Sequence, residues 1–155
     1  MNLLSTLLLD SIIAGVASTG FAVLFNVPTK TLPFCAFTSF LGYITHLVLL
    51  HLNLSPVVAT FFASLIIGIV ATIWSTKYSV PRPAYTVASI LPMFPGKYAY
   101  LTIMALLEMS SKGISHELTT SFIQNSLTVV SIVGAISLGL VLPSLYFIRH
   151  DRPVI

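Results

Sequence analysis

The sequence predicts an all-α integral membrane protein, a bundle of about five transmembrane helices with the fourth broken at a Pro-x-x-Pro-Gly stretch. Three observations lead there. Only 7% of the 155 residues are charged and 56% are hydrophobic, with a mean hydropathy of +0.99; a soluble domain carries about 25% charged residues. Turn-rich or charged interruptions divide the chain into five apolar stretches long enough to cross a bilayer, which takes roughly 17–25 residues. Finally, the stretch "ILPMFPGKYAYL" (Ile90 to Leu101) sets two prolines, a glycine and a lysine inside one of the five. The length suits a single transmembrane domain over residues 1–155.

In order, the first span covers about residues 3–25 and stops at "NVPTKTLP". The second covers about 34–52 and stops at "NLSP"; the third covers about 56–76 and stops at "KYSVPRP". The fourth, about 84–109, holds the broken stretch and stops at "SSKGISHE". The fifth, about 118–148, runs to "RHDRPVI". It is too short for two crossings and long enough to tilt or project beyond the lipid.

Five crossings put the termini on opposite faces. Lys30, Lys77, Arg82, Arg149 and Arg152 fall on one face, against Lys112 on the other, where Glu117 offsets it. Cytoplasmic loops carry the excess of Lys and Arg. The loops after the first and third spans and the C-terminus are therefore expected in the cytoplasm, and the N-terminus outside. The start, "MNLLSTLLLD", lacks a basic region and a small-residue cleavage site, so insertion is expected to rely on uncleaved spans.

Several function classes are disfavoured. The seven basic residues form no patch or stripe, so no nucleic acid partner is expected. Cys35 is alone, which rules out an intrachain disulfide or a zinc cluster, and no metal or other cofactor is expected. "HELTT" from His116 lacks the second histidine of a zinc-protease helix. "GAISLG" from Gly134 has one residue too many before its serine to be a nucleophile elbow. These stretches read as a loop and a packing face, and the chain is not expected to be an enzyme.

Lipid tails give no hydrophobic drive for helix association, so close contacts favour small residues at every fourth position. The first span has Ala14, Ser18 and Ala22 on the face of Asp10; the third has Thr60, Ser64, Gly68 and Thr72. The fifth has Ser131, Ala135 and Gly139, followed by Pro143. A tightly packed bundle is expected, with faces to spare for a partner.

Ionisable residues inside a span usually face a cavity or a partner. Lys97 lies near the middle of the fourth span. Pro92 and Pro95 remove backbone donors and crowd the preceding turn, and Gly96 lets the chain turn. A half-helix starting near Lys97 would present unpaired N–H groups and the positive end of a dipole. Transporters hold anionic substrate groups at such midplane breaks. A plain proline kink, with Lys97 snorkelling to water, is the structural alternative. Asp10, a turn or two inside the first span, is either interfacial or a proton carrier, and His46, midway along the second, suits a proton relay or a bond to a neighbour. Asn125 and Gln124 would bond across helices or line a path. Glu108 reads as a surface residue, while Asn26 and Pro28 read as a turn at the cytoplasmic edge.

"GFAVLFNVP" (Gly20 to Pro28), "ILPMFPG" (Ile90 to Gly96) and "SIVGAISLGL" (Ser131 to Leu140), followed by Pro143, resemble the small membrane subunit of the threonine/serine exporter family. The resemblance covers nearly the whole chain, and "PMFPG" is its most specific piece. It implies one of two related five-span halves of opposite orientation, which some members fuse and others split. In the split form the partner is a larger subunit that carries a soluble domain. It further implies export of small carboxylates from bacteria, threonine and serine in the fused form and succinate in the split form. Pro92, Met93, Phe94, Pro95 and Gly96 match the motif and inherit a place at the translocation path. Asn26 and Pro28 match a piece of no assigned role, and Lys97 lies after the motif.

The expected function is thus that of a membrane subunit of a two-component exporter in the bacterial inner membrane, touching lipid, a small carboxylate substrate and the larger subunit. The alternative is a scaffold that stabilises or targets a membrane partner without transporting.

Overall fold

The computed structural model describes residues 3–78 and 81–150. Six helices follow one another: α1 (Leu3–Leu24), α2 (Leu32–His51), α3 (Pro56–Tyr78), α4 (Pro83–Ile90), α5 (Gly96–Lys112) and α6 (His116–His150). Short 3-10 turns at Thr29–Thr31 and Leu91–Met93 precede α2 and follow α4. No strand occurs among the described residues. Four helices are long and apolar enough to cross a membrane: α1, α2 with its leading turn, α3 and α6. The α4–α5 pair makes a fifth if taken as one broken span. The chain is an all-α, multi-pass membrane protein. Arg152, counted above among the cations of one face, lies outside the described residues.

Helix ends follow from local chemistry. Asn26 has φ 55° and Asn53 has φ 60°, the left-handed conformation that asparagine tolerates better than most side chains. At the end of α1 the Asn26 N–H donates to the Val23 carbonyl at 3.0 Å and Val27 N–H to Ala22 at 3.0 Å. At the end of α2 the Asn53 N–H donates to Leu50 at 3.0 Å and Leu54 N–H to Leu49 at 3.2 Å. Both are Schellman terminations, which satisfy the last carbonyls of a helix. Val27 then packs onto the buried Ala22, Cys35 and Ala88, the apolar contact that accompanies this cap. Ser55 and Ser115 start α3 and α6: their Oγ atoms accept from the N–H groups of Val58 (3.4 Å) and Leu118 (3.2 Å). Gly113, at φ 89°, ends α5.

The chain divides into two units. The first comprises α1 to α4 and α6 from Ala135 onward; the second comprises α5 and α6 as far as Gly134.

The interior of the first unit is made of small residues. Ala14, Ala22, Ala59, Ala63, Ala71 and Ala88 are buried, and Tyr85 and Ile67 are its largest fully buried side chains. Of the small-residue faces, Ala14, Ser18 and Ala22 of α1 and Thr60, Ser64, Gly68 and Thr72 of α3 are all buried. On α6, Ala135 and Gly139 are buried and Ser131 is exposed. Without a hydrophobic drive in lipid, such residues earn their place by letting backbones come close enough for dispersion and hydrogen bonding. A Cβ on Gly15 would stand 3.0 Å from the Ala36 carbonyl oxygen, and one on Gly68 would stand 3.1 Å from that of Gly139. At Gly42 the hollow is filled by the side chains of Ile67 and Met93. At one end of this unit an aromatic cluster joins α2, α3 and α4: Phe34 packs edge-on against Trp74 and Tyr85, with centroids 4.6 and 6.2 Å away.

In the second unit α5 and the first half of α6 present large apolar side chains outward, Ile103 and Leu107 on one and Leu127 and Val130 on the other. Among them an exposed Lys112 pairs with Glu108 one turn earlier, at 3.4 Å.

Candidate functional site

The Pro92–Lys97 stretch breaks the helix as its residues dictate. The α4 helix tightens to a 3-10 turn at Leu91–Met93, and a new helix starts at Gly96. The Gly96 N–H turns back to the Phe94 carbonyl at 2.7 Å, and Ala99 N–H is bonded to Pro95 at 3.0 Å. The N–H groups of Lys97 and Tyr98 are then left over in the first turn of α5. Met93 and Pro95 are buried, Pro92 is half-buried, and Phe94, Gly96 and Lys97 are exposed. No residue crowds Gly96, since nothing lies within 4 Å of where its Cβ would be.

The other candidates sit as follows. His46 is half-buried on α2, with Nδ1 3.4 Å from Thr60 Oγ1 of α3. Thr60 also donates to the Pro56 carbonyl of its own helix at 2.7 Å. The His46 ring also lies 6.2 Å from that of Tyr43. Asp10 is half-buried on α1, and no hydrogen bond or ion pair among the described residues joins it to His46. Asn125 is half-buried on α6, its Nδ2 donating to the Ser121 carbonyl of its own helix at 2.8 Å. Gln124 is exposed. Asn26 and Pro28 are exposed, at the α1 termination described above. Among the described residues no three His, Cys, Asp or Glu side chains gather to hold a metal ion.

Two features were not foreseen from the sequence. The first is a polar seam centred on the backbone of Cys35. Its carbonyl accepts from Ser18 Oγ of α1 at 3.3 Å and from Ser89 Oγ of α4 at 3.1 Å, while its thiol donates to the Ala84 carbonyl at 3.3 Å. Ser39 of α2 reaches the Ala14 carbonyl at 3.2 Å, and Ser64 of α3 the Ala135 carbonyl at 3.3 Å. The signal was present as small hydroxyl residues on apolar faces, but a serine's spacing does not say which neighbouring carbonyl it will meet.

The second is an open cleft of about 380 Å³ in the first unit, lined by Gly68, Thr72, Arg82, Pro83, Thr86, Leu140 and Ser144. It opens beside the Gly68–Gly139 crossing, where α3 and α6 touch through backbone. Arg82 immediately precedes α4 and is half-buried. From the sequence it counted only as one of the orienting cations, because nothing local tells that Thr72 and Ser144 will stand near it.

No solved structure matches the chain. An uncharacterised protein of Haemophilus influenzae is 40% identical over 149 residues, which are 96% of this chain and 50% of that protein. The chain thus spans about half the length of the curated relative it matches. The family described as "Threonine/Serine exporter, ThrE" matches residues 10–146, from the middle of α1 to the last turns of α6. That match takes in the helix break, the Cys35 seam and the Arg82 cleft alike, and with it the chain belongs to the Threonine/Serine exporter family.

Proposed function

We propose that the chain is one membrane half of a two-component exporter of small carboxylates, threonine or serine on one side of the family's range and succinate on the other. The observation that carries this reading is the broken helix in a chain of this family. A helix restarts at Gly96 behind Pro95, with an exposed lysine in its first turn. Unpaired N–H groups and a full positive charge at a helix start attract a carboxylate. Pro92, Met93, Phe94, Pro95, Gly96 and Lys97 line the substrate path in this proposal, with Asp10, His46 and Asn125 as polar or proton-carrying groups along it.

The other half is a larger subunit with a soluble domain. Supporting this is the family match, together with the resemblance of the "PMFPG" stretch to the small subunit of the split form. Two five-span halves of opposite orientation form an inverted repeat, and rocking one against the other exposes a central site to each side in turn. The protein resides in the bacterial inner membrane with its N-terminus outside and C-terminus in the cytoplasm, following the excess of Lys and Arg after the first and third spans.

The test is efflux of radiolabelled threonine, serine and succinate from cells expressing this chain, the larger subunit, or both. Efflux that needs both subunits supports the reading, and the preferred substrate assigns the branch. Lys97→Ala then reduces efflux by about tenfold, the scale of one charge-assisted contact, and Pro95→Ala reduces it by altering the helix start, while both subunits still co-purify. Full efflux with the larger subunit alone would leave this chain a scaffold.

A further inference from the structure

We infer that the Arg82 cleft is a site for one anionic phospholipid, with the phosphate at Arg82 and an acyl chain laid along the cleft toward Gly68. Its depth in the membrane follows from the aromatic residues. Phe34 at the start of α2, Trp74 and Tyr78 near the end of α3, and Tyr85 on α4 form one cluster, so these helix ends lie at one level. Trp and Tyr gather where a membrane meets water. Arg82 immediately precedes α4 at that level. Gly68 lies ten residues before Tyr78 on α3, about 15 Å along the axis and so half the hydrocarbon core away. The cleft, lined by both Arg82 and Gly68, thus runs from headgroup depth toward the middle of the bilayer. An opening at that depth, beside the exposed Val141 and Leu145 of α6, meets lipid tails.

Charge at this end selects the headgroup. Lys30 stands in the turn before α2, Lys77 holds its ammonium 5.5 Å from the Tyr78 ring centroid, and Arg82 has no ion pair among the described residues. Against these three cations the described part of this unit has one carboxylate side chain, Asp10. Asp10 lies fourteen residues before the end of α1 that leads to Lys30, about 21 Å along the axis. A zwitterionic headgroup would bring its own ammonium to an end of one sign, whereas a phosphodiester of an uncharged alcohol brings only the anion. Basic pockets between spanning helices hold such headgroups. The N–H groups of Ala84, Tyr85 and Thr86 are already bonded to Pro81 and Arg82 carbonyls at 2.9 to 3.1 Å, so the phosphate falls to side chains. Below Arg82 the lining calls for no polar ligand. Thr72, Thr86 and Ser144 donate to carbonyls a turn earlier at 2.7, 3.3 and 2.7 Å, as helical hydroxyls ordinarily do. An apolar chain laid over them leaves no donor unpaired. The site shares no residue with the helix break, and its occupancy rests on no part of the transport reading.

The test is lipid retention by the purified full chain. Delipidated protein in nonionic micelles is titrated with dioleoyl phosphatidylglycerol or dioleoyl phosphatidylcholine, and bound lipid is counted by native mass spectrometry. One phosphatidylglycerol is expected to bind at a concentration about tenfold below that needed for phosphatidylcholine. Arg82→Gln is expected to weaken phosphatidylglycerol about tenfold, and Lys77→Gln by less, since that ammonium is exposed and already faces a ring. Ser144→Phe fills the cleft below the headgroup and is expected to weaken both lipids. Equal retention of the two lipids would overturn the assignment, as would equal losses in Lys77→Gln and Arg82→Gln, which mark diffuse attraction to a basic end. Retention unaltered in Ser144→Phe would place the acyl chain elsewhere and overturn it too. Displacement of the lipid by glycerol 3-phosphate would make this a site for free phosphate instead.

Discussion

Gly68 of α3 and Gly139 of α6 lie so close that a side chain on either would strike the other helix. A Cβ on Gly68 would come within 3.1 Å of the Gly139 carbonyl oxygen, and one on Gly139 would stand 2.8 Å from that of Phe61 and overlap Ser64. Gly134, more than a turn earlier on α6, has nothing within 4 Å of its Cβ position. Gly139→Ala is thus expected to destabilise by about 1–3 kcal/mol through overpacking. Gly134→Ala gains up to about 1 kcal/mol of helix propensity. Thermal unfolding of the purified protein separates them: equal shifts for the two would mean that the crossing is not a backbone contact.

Ser18 and Ser89 converge on one acceptor, the Cys35 carbonyl, and Ser89 shares its proton with Tyr85 at 2.6 Å. Such bonds within membranes contribute about 0.6 kcal/mol on average and up to about 1.7. Because either serine satisfies the carbonyl without the other, Ser18→Ala and Ser89→Ala should each lose less than half of what the double variant loses. Strictly additive losses would show that the two do not share it.

Asn26 and Asn53 occupy the left-handed conformation at the ends of α1 and α2. Replacing either by alanine is expected to lower stability by about 1–2 kcal/mol, since a Cβ without a local hydrogen bond is disfavoured there. Glycine should be neutral or better. A glycine variant as unstable as the alanine one would mean that the asparagine side chain itself is needed.

Tyr85 is fully buried, and its hydroxyl has no hydrogen-bond partner among the described residues. A buried hydroxyl left unpaired costs about 1–3 kcal/mol. Tyr85→Phe keeps the ring against Phe34 and Trp74 and should raise the unfolding midpoint. A lower midpoint would reveal a partner for the hydroxyl.

Much of this was legible in advance. The all-helical membrane class followed from hydropathy and the length of the apolar runs, and the break from two prolines and a glycine within five residues. The family could be recognised from "FNVP" and "PMFPG". The break was readable because proline acts within a turn of itself. Arg82 shows the opposite case. Its cleft joins residues from α3, the start of α4 and α6, and their separation along the chain erases any local pattern.

Composition, segment length and local backbone chemistry establish a multi-pass helical protein with a helix break at Pro92–Gly96, because the cost of exposing unpaired backbone to lipid leaves a chain this apolar few alternatives. Which carbonyl each buried serine finds, that Gly68 meets Gly139, and that Arg82 shares a cleft with three spent hydroxyls depend on how helices settle against one another. In lipid that is governed by contacts of a few ångströms between backbones, and only the folded chain brings those atoms together.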